Sequence, residues 1–144
     1  MQTIKIINQS DNPLPKYATS GASGMDLHAH LGAPVTIAPS EGALIPTGLY
    51  IELSPGCEAQ IRARSSWGIK GLIVPNAPGT IDADYRGEIK VALFNISKQA
   101  HTVNPGDRMA QLIVMQFVKI QWAAVNTLNN TERGTGGFGS TDKQ

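Results

Sequence analysis

The sequence predicts an all-β fold, and three observations carry that prediction. Nine prolines and fifteen glycines are spread along 144 residues and cut the chain into short pieces. The apolar segments between them include runs that alternate with polar residues and are rich in β-branched types, the pattern of half-buried strands. No window carries a 3.6-residue apolar stripe longer than about two turns, so helix is minor. Many short strands punctuated every ten residues or so lead to a sandwich, jelly roll or barrel.

The elements follow in order. TIKII (3–7) is a first short strand, and NPLP after it is turn chemistry. ALIPTGLYIEL (43–53) reads as strand up to the SPG turn. EAQIRAR (58–64) alternates cleanly, and one short helical turn is expected at the serines that follow it. EIKVALFNI (88–96) alternates again after the DADYRG turn, and MAQLIVMQFVKI (109–120) closes the set after NPG. No internal repeat is present. Residues 1–128 read as one β domain. Residues 129–144 read as a flexible arm, with Phe138 as the single large apolar residue of TERGTGGFGSTDKQ.

Length and composition bound the function. One domain of this size buries about 70% of its unfolded surface, enough for a core without cross-links. Cys57 is the only cysteine, so neither an intrachain disulfide nor a thiol metal cluster can form, and it reads as a small apolar residue. MQTIKIINQS is not a secretory signal, and no run approaches the roughly 18 apolar residues of a membrane span. A soluble cytoplasmic protein with no membrane partner is expected. A net charge of +1 with scattered Lys and Arg argues against a nucleic acid polymer as ligand.

The arm poses a puzzle. GTGGFG (134–139) spells G-x-G-x-x-G, and GTGGFGST spells a Walker-type loop with Ser140 in place of lysine. Both motifs need a following helix to hold phosphate, and the few residues left cannot make one. What remains is a kit of one basic residue, glycines, an aromatic and two hydroxyls. Four other segments share that vocabulary. GASGMDLHAH (21–30) places Asp26 after a small-residue turn, while its H-x-H is weak evidence for metal and its histidines read as ordinary strand residues. RARSSWGIKG (62–71) puts arginines two apart before two serines, a good oxyanion receptor. NAPGTIDADYRGEI (76–89) sets Asp82 at a strand end and Tyr85 at a turn that rarely needs an aromatic. GDRMAQ (106–111) adds Gln111 at a strand start.

Taken in this order, the segments resemble the trimeric dUTPase family. The resemblance runs from Ala18 to Thr141 through ATSGASGMDL, RARSSWG, NAPGTIDADYRGEI, GDRMAQLIV and RGTGGFGST. It implies a distorted jelly-roll-like β-sandwich or barrel, a homotrimer with active sites shared between subunits, and Mg²⁺-dependent hydrolysis of dUTP to dUMP and pyrophosphate. The arm then becomes a lid that closes over nucleotide held by other subunits, and a lid needs no helix behind it.

The resemblance also implies roles. Asp82 is the carboxylate that activates the attacking water, and Tyr85 lies under the deoxyribose. Backbone from Gly79 through Thr80 and Ile81, with that of Lys90 on a return strand, reads uracil, and Asn76 lies near the same pocket. Arg64, Ser65, Ser66 and Gln111 match phosphate-chain contacts. In the arm, Arg133 pairs with the terminal phosphate, Phe138 stacks on uracil, and Gly139, Ser140 and Thr141 cap the γ-phosphate. Asp26 acts in the outer shell of Mg²⁺ through water, the ion being held mainly by the phosphates. Ser66, Trp67 and Thr80 stand where the family more often has glycine, an aliphatic and valine, and none of them holds a catalytic role. Two rival readings are a dCTP deaminase of the same fold and a non-catalytic nucleotide-binding regulatory module.

Overall fold

A computed structural model of the chain describes residues 3–138. In chain order its elements are β1 (Lys5–Asn8), β2 (Met25–His28), β3 (Val35–Ile37), β4 (Gly42–Pro46), β5 (Leu49–Glu52), β6 (Cys57–Ala63), α1 (Ser65–Gly68), β7 (Leu72–Ile73), β8 (Gly79–Ile81), β9 (Lys90–Asn95), β10 (His101–Val103) and β11 (Arg108–Gln116). The fold is all-β, as the punctuation of the sequence predicts, and α1 is the short turn expected at the two serines.

All strand pairs are antiparallel. The largest sheet runs β2-β11-β6-β8, a second runs β4-β9-β7, and β1-β5 and β10-β3 are two-stranded. One continuous core joins them, with Leu27, Ile37, Ile45, Val91, Leu93, Val103 and Met109 almost fully enclosed. Each such side chain contributes about 1.5–3 kcal/mol through removal from water. Cys57 is buried among them, as a small apolar residue would be.

Local chemistry explains where strands stop. The run 43–53 breaks in two because Gly48 turns with φ of 69°, where an added Cβ would sit 2.9 Å from the Ser10 backbone nitrogen. Thr47, buried beside it, donates its hydroxyl to the Ile89 carbonyl at 2.6 Å. The buried Asn95 uses its whole amide. Its Nδ2 donates to the carbonyls of Ile37 and Gln99, and its Oδ1 accepts from the Ser97 N–H and hydroxyl. At the exposed β1–β5 edge Lys5 Nζ lies 3.0 Å from Glu52 Oε1, and this hydrogen bond holds the Glu52 carboxyl below its usual range.

Two expectations need correction. The last strand ends at Gln116, not at Ile120, because β11 runs off the end of its partner. Gln116 pairs with Cys57, the first residue of β6, and only one further bond follows, from the Phe117 N–H to the Gly56 carbonyl. In addition, the strand that carries Lys90 does not return against Gly79–Ile81. β8 pairs with β6 at Ala59–Ile61, whereas β9 pairs with β4 and β7. Residues 82–89 therefore cross between sheets, which opens a cleft where a hairpin would be closed.

Candidate active site

That crossing makes the first half of the site. Asn76, Gly79, Thr80, Ile81, Asp82, Tyr85 and Lys90 line one cleft of about 290 Å³, with Leu44, Ile61 and Ile89 as apolar wall. β8 is the edge strand of its sheet, so one row of its backbone N–H and C=O groups has no strand partner. Gly79 lets the chain pass closely, since a Cβ there would lie 3.1 Å from Asn76 Nδ2. An unpaired backbone row beside an apolar wall is suited to a flat ring with fixed donors and acceptors.

Asp82 directly follows β8, where the ladder has ended. The Asp82 carbonyl accepts from the Tyr85 N–H at 3.1 Å, closing a tight turn. The carboxylate is exposed and makes no hydrogen bond or ion pair with any described residue. Tyr85 is not a loose tip residue. Its hydroxyl donates to the Glu88 carbonyl at 3.1 Å, and a Cβ at position 87 would collide with its ring, so Gly87 is what lets it lie flat. Arg86 straps the turn by donating to the Ala83 and Tyr85 carbonyls. Glu88, not singled out from the sequence, accepts from the Gly48 N–H at 2.9 Å and lies 3.6 Å from Lys90 Nζ.

The second half of the site is polar and lies on other elements. Asp26 on β2 faces Gln111 on β11, and Gln111 faces Arg62 on β6. Arg64 leaves the end of β6 and turns its Nε to Asp26 Oδ1 at 3.0 Å. Its Nη1 donates to the Arg108 carbonyl at 2.9 Å. Of the two arginines in R-A-R, only Arg64 joins this group, because Arg62 is drawn along its strand to Gln60 Oε1. Ser65 and Ser66 open α1 and are exposed, with the first N–H groups of the turn lacking any carbonyl one turn back.

The arm stands apart. Arg133 Nε donates to the Gly136 carbonyl at 2.8 Å, the Gly134 N–H goes to Thr131, and Phe138 is fully exposed. No described arm residue lines the cleft, and neither does any member of the Asp26–Arg64–Gln111 group. Gly139, Ser140 and Thr141 lie outside the described residues. A single chain thus gathers the residues expected to meet base and sugar in one cleft, and those expected to meet the phosphates do not line it.

Among the described residues no group of three or more His, Cys, Asp and Glu converges. Asp26 still has acceptor capacity for water after its contacts with Arg64 and Arg108, since a carboxylate offers about four lone-pair sites. That donor set fits an ion that keeps its waters and is bound through phosphates with one or two carboxylates, as Mg²⁺ is.

Comparison with known proteins shows the family and agrees with the fold. The dUTPase family profile matches residues 10–142. A deoxyuridine 5'-triphosphate nucleotidohydrolase of Finegoldia magna is 50% identical over 139 residues, covering 96% of this chain and 97% of the relative. The protein of that name from Bdellovibrio bacteriovorus is 49% identical, covering 97% and 95%. Among solved structures, a mutant dUTPase of Staphylococcus bacteriophage 80alpha with dUpNHpp matches with TM-score 0.87 at 20% identity, covering 98% of this chain and 99% of that one. A mutant dUTPase of phage phi11 of S. aureus, described with a structural Mg(II) ion, matches with TM-score 0.80 at 20% identity over 90% of this chain and 100% of that one.

Proposed function

The chain belongs to the dUTPase family, and from that premise we infer that it hydrolyses dUTP to dUMP and pyrophosphate. This removes dUTP from the nucleotide pool and supplies dUMP for thymidylate synthesis. The observation that carries the reading is the convergence of six expected base-and-sugar residues on one cleft with the Asp82 carboxylate, which has no partner among the described residues, at its wall.

Uracil enters the cleft against the open edge of β8, where backbone donors and acceptors from Gly79 to Ile81 and at Lys90 read its ring. Cytosine presents the inverse pattern at its Watson–Crick edge, and thymine adds a methyl that close packing excludes. Tyr85, held down through Glu88, lies under the deoxyribose, where a ribose 2′-hydroxyl would collide. The water oxygen attacks the α-phosphorus and gives its proton to Asp82. The bond from that phosphorus to the bridging oxygen breaks, and pyrophosphate leaves. Arg64, the amides and hydroxyls of Ser65 and Ser66, and Gln111 hold the phosphate chain. Asp26 is the residue that would hold a phosphate-bound Mg²⁺ through water, and the ion would supply neutralisation of phosphate charge. Positioning of this kind is worth several kcal/mol of barrier.

The enzyme acts as a homotrimer. Val118, Ile120, Trp122, Val125 and Leu128 are all exposed on the strand-free stretch after β11, an apolar run of the kind that marks an interaction surface. A three-fold assembly covers that stretch and carries the arm, residues 129–144, to a neighbour. It also joins the two half-sites that one chain keeps apart. The arm then brings Arg133 to the terminal phosphate, Phe138 over uracil, and Gly139, Ser140 and Thr141 around the γ-phosphate. The cytoplasm, where free nucleotides are, is its place of action. No described helix is long and apolar enough to cross a membrane.

The test is pyrophosphate release from a panel of nucleoside triphosphates. dUTP is expected to exceed UTP, dCTP and dTTP in kcat/KM by about 10⁴ or more, the discrimination that a collision or an unpaired buried polar group can give. Comparable values for UTP and dUTP would remove Tyr85 from its role. Ammonia release from dCTP would favour a deaminase, and nucleotide binding without turnover would favour a regulatory module.

A further inference from the structure

We propose that Arg108 is a further residue of the triphosphate site, setting the charge and orientation of the group built around Asp26. The proposal rests on the reading that this group holds the phosphate chain.

Parity along β11 at first argues against it. Gln111 faces Asp26, so a residue three positions earlier on a regular strand would point to the opposite face. The β11–β2 register, however, shifts between Arg108 and Ala110, and Met109 and Ala110 are consecutively buried there. A bulge of this kind re-aims one side chain, and bulges are over-represented next to active sites. Its effect is concrete. Arg108 Nη1 comes within 3.4 Å of Asp26 Oδ2, while Arg64 Nε holds Asp26 Oδ1 at 3.0 Å.

The charge balance gives the contact a purpose. Asp26 alone would repel a triphosphate, and Asp26 with Arg64 alone would be neutral. With Arg108 the group carries two positive charges and one negative, a net +1 facing a polyanion. Arg108 also works through its backbone, since its carbonyl accepts from Arg64 Nη1 at 2.9 Å. Arg64 is thereby fixed at Nε and Nη1, leaving Nη2 for phosphate. The Arg108 side chain is about half exposed, at 58%, so most of its donors remain available to ligand.

The experiment compares Arg108→Gln and Arg108→Lys with the parent in steady-state kinetics and in calorimetric binding of dUMP and dUpNHpp. Arg108→Gln is expected to weaken dUpNHpp binding about tenfold, the effect of one charge lost near a polyanion, with dUMP affinity changed less than twofold. Arg108→Lys should recover most of the dUpNHpp affinity, because it restores the charge. If Arg108→Gln weakened dUMP and dUpNHpp equally, or lowered only the thermal midpoint, its role would be structural and the proposal overturned. Unchanged dUpNHpp affinity in Arg108→Gln would overturn it equally. A parent enzyme that did not hydrolyse dUTP would instead refute the underlying reading.

Discussion

Asp82→Asn is expected to bind dUpNHpp as tightly as the parent while losing turnover by about 10²–10⁴, the usual contribution of a positioned base. The amide is nearly isosteric with the carboxylate but cannot take a proton from water. The structure makes this a clean substitution. The Asp82 carboxylate is exposed and has no partner among the described residues, so no structural contact is lost with it. The turn it opens is held by its backbone carbonyl, which asparagine keeps. The loss should therefore fall on kcat and leave KM and the thermal midpoint nearly unmoved. A variant keeping a third of the parent kcat would show that the base lies elsewhere.

Deleting residues 132–144 is expected to cut kcat/KM by about 10³ or more, the scale of an arginine clamp on a transferring phosphoryl group. Fold stability should hardly change. Among the described residues, Arg133 and Gly134 bond only to Thr131 and Gly136, within the arm itself, and Phe138 is fully exposed. None of the described residues 132–138 belongs to the core. A fall of many degrees in thermal midpoint without nucleotide would mean that the arm is structural.

Much of this was readable from residues alone, for identifiable reasons. EAQIRAR and EIKVALF alternate over enough positions to fix a period of two, and β6 and β9 lie where they do. The short strands β3, β7, β8 and β10 are two or three residues long, too few to show any period. The end of β11 was unreadable for another reason. Nothing in MQFVKI stops a strand, and it stops because β6 begins at Cys57 and offers no further partner. Asp82 and Tyr85 stood out because a carboxylate at a strand end and an aromatic in a turn need explaining. Arg108 did not, because its approach to Asp26 depends on a bulge that no local pattern announces. Glu88 was hidden likewise, since its partner Gly48 is remote in sequence and a backbone amide has no signature.

The claim on which the account turns is that each active site takes Asp82 from one subunit and its arm from another, and subunit mixing tests it directly. Two inactive chains are needed, Asp82→Asn with its arm intact and the arm-deleted chain with Asp82 intact. They are unfolded together at equal concentration and refolded into mixed trimers. With random assembly a site draws its carboxylate from one variant and its arm from the other about one time in four. Pyrophosphate release from dUTP should then return to about a quarter of the parent rate per site, though neither variant works alone. If sizing confirmed mixed trimers and they stayed as inactive as their parents, the arm would be closing over its own chain, and the shared site would be wrong.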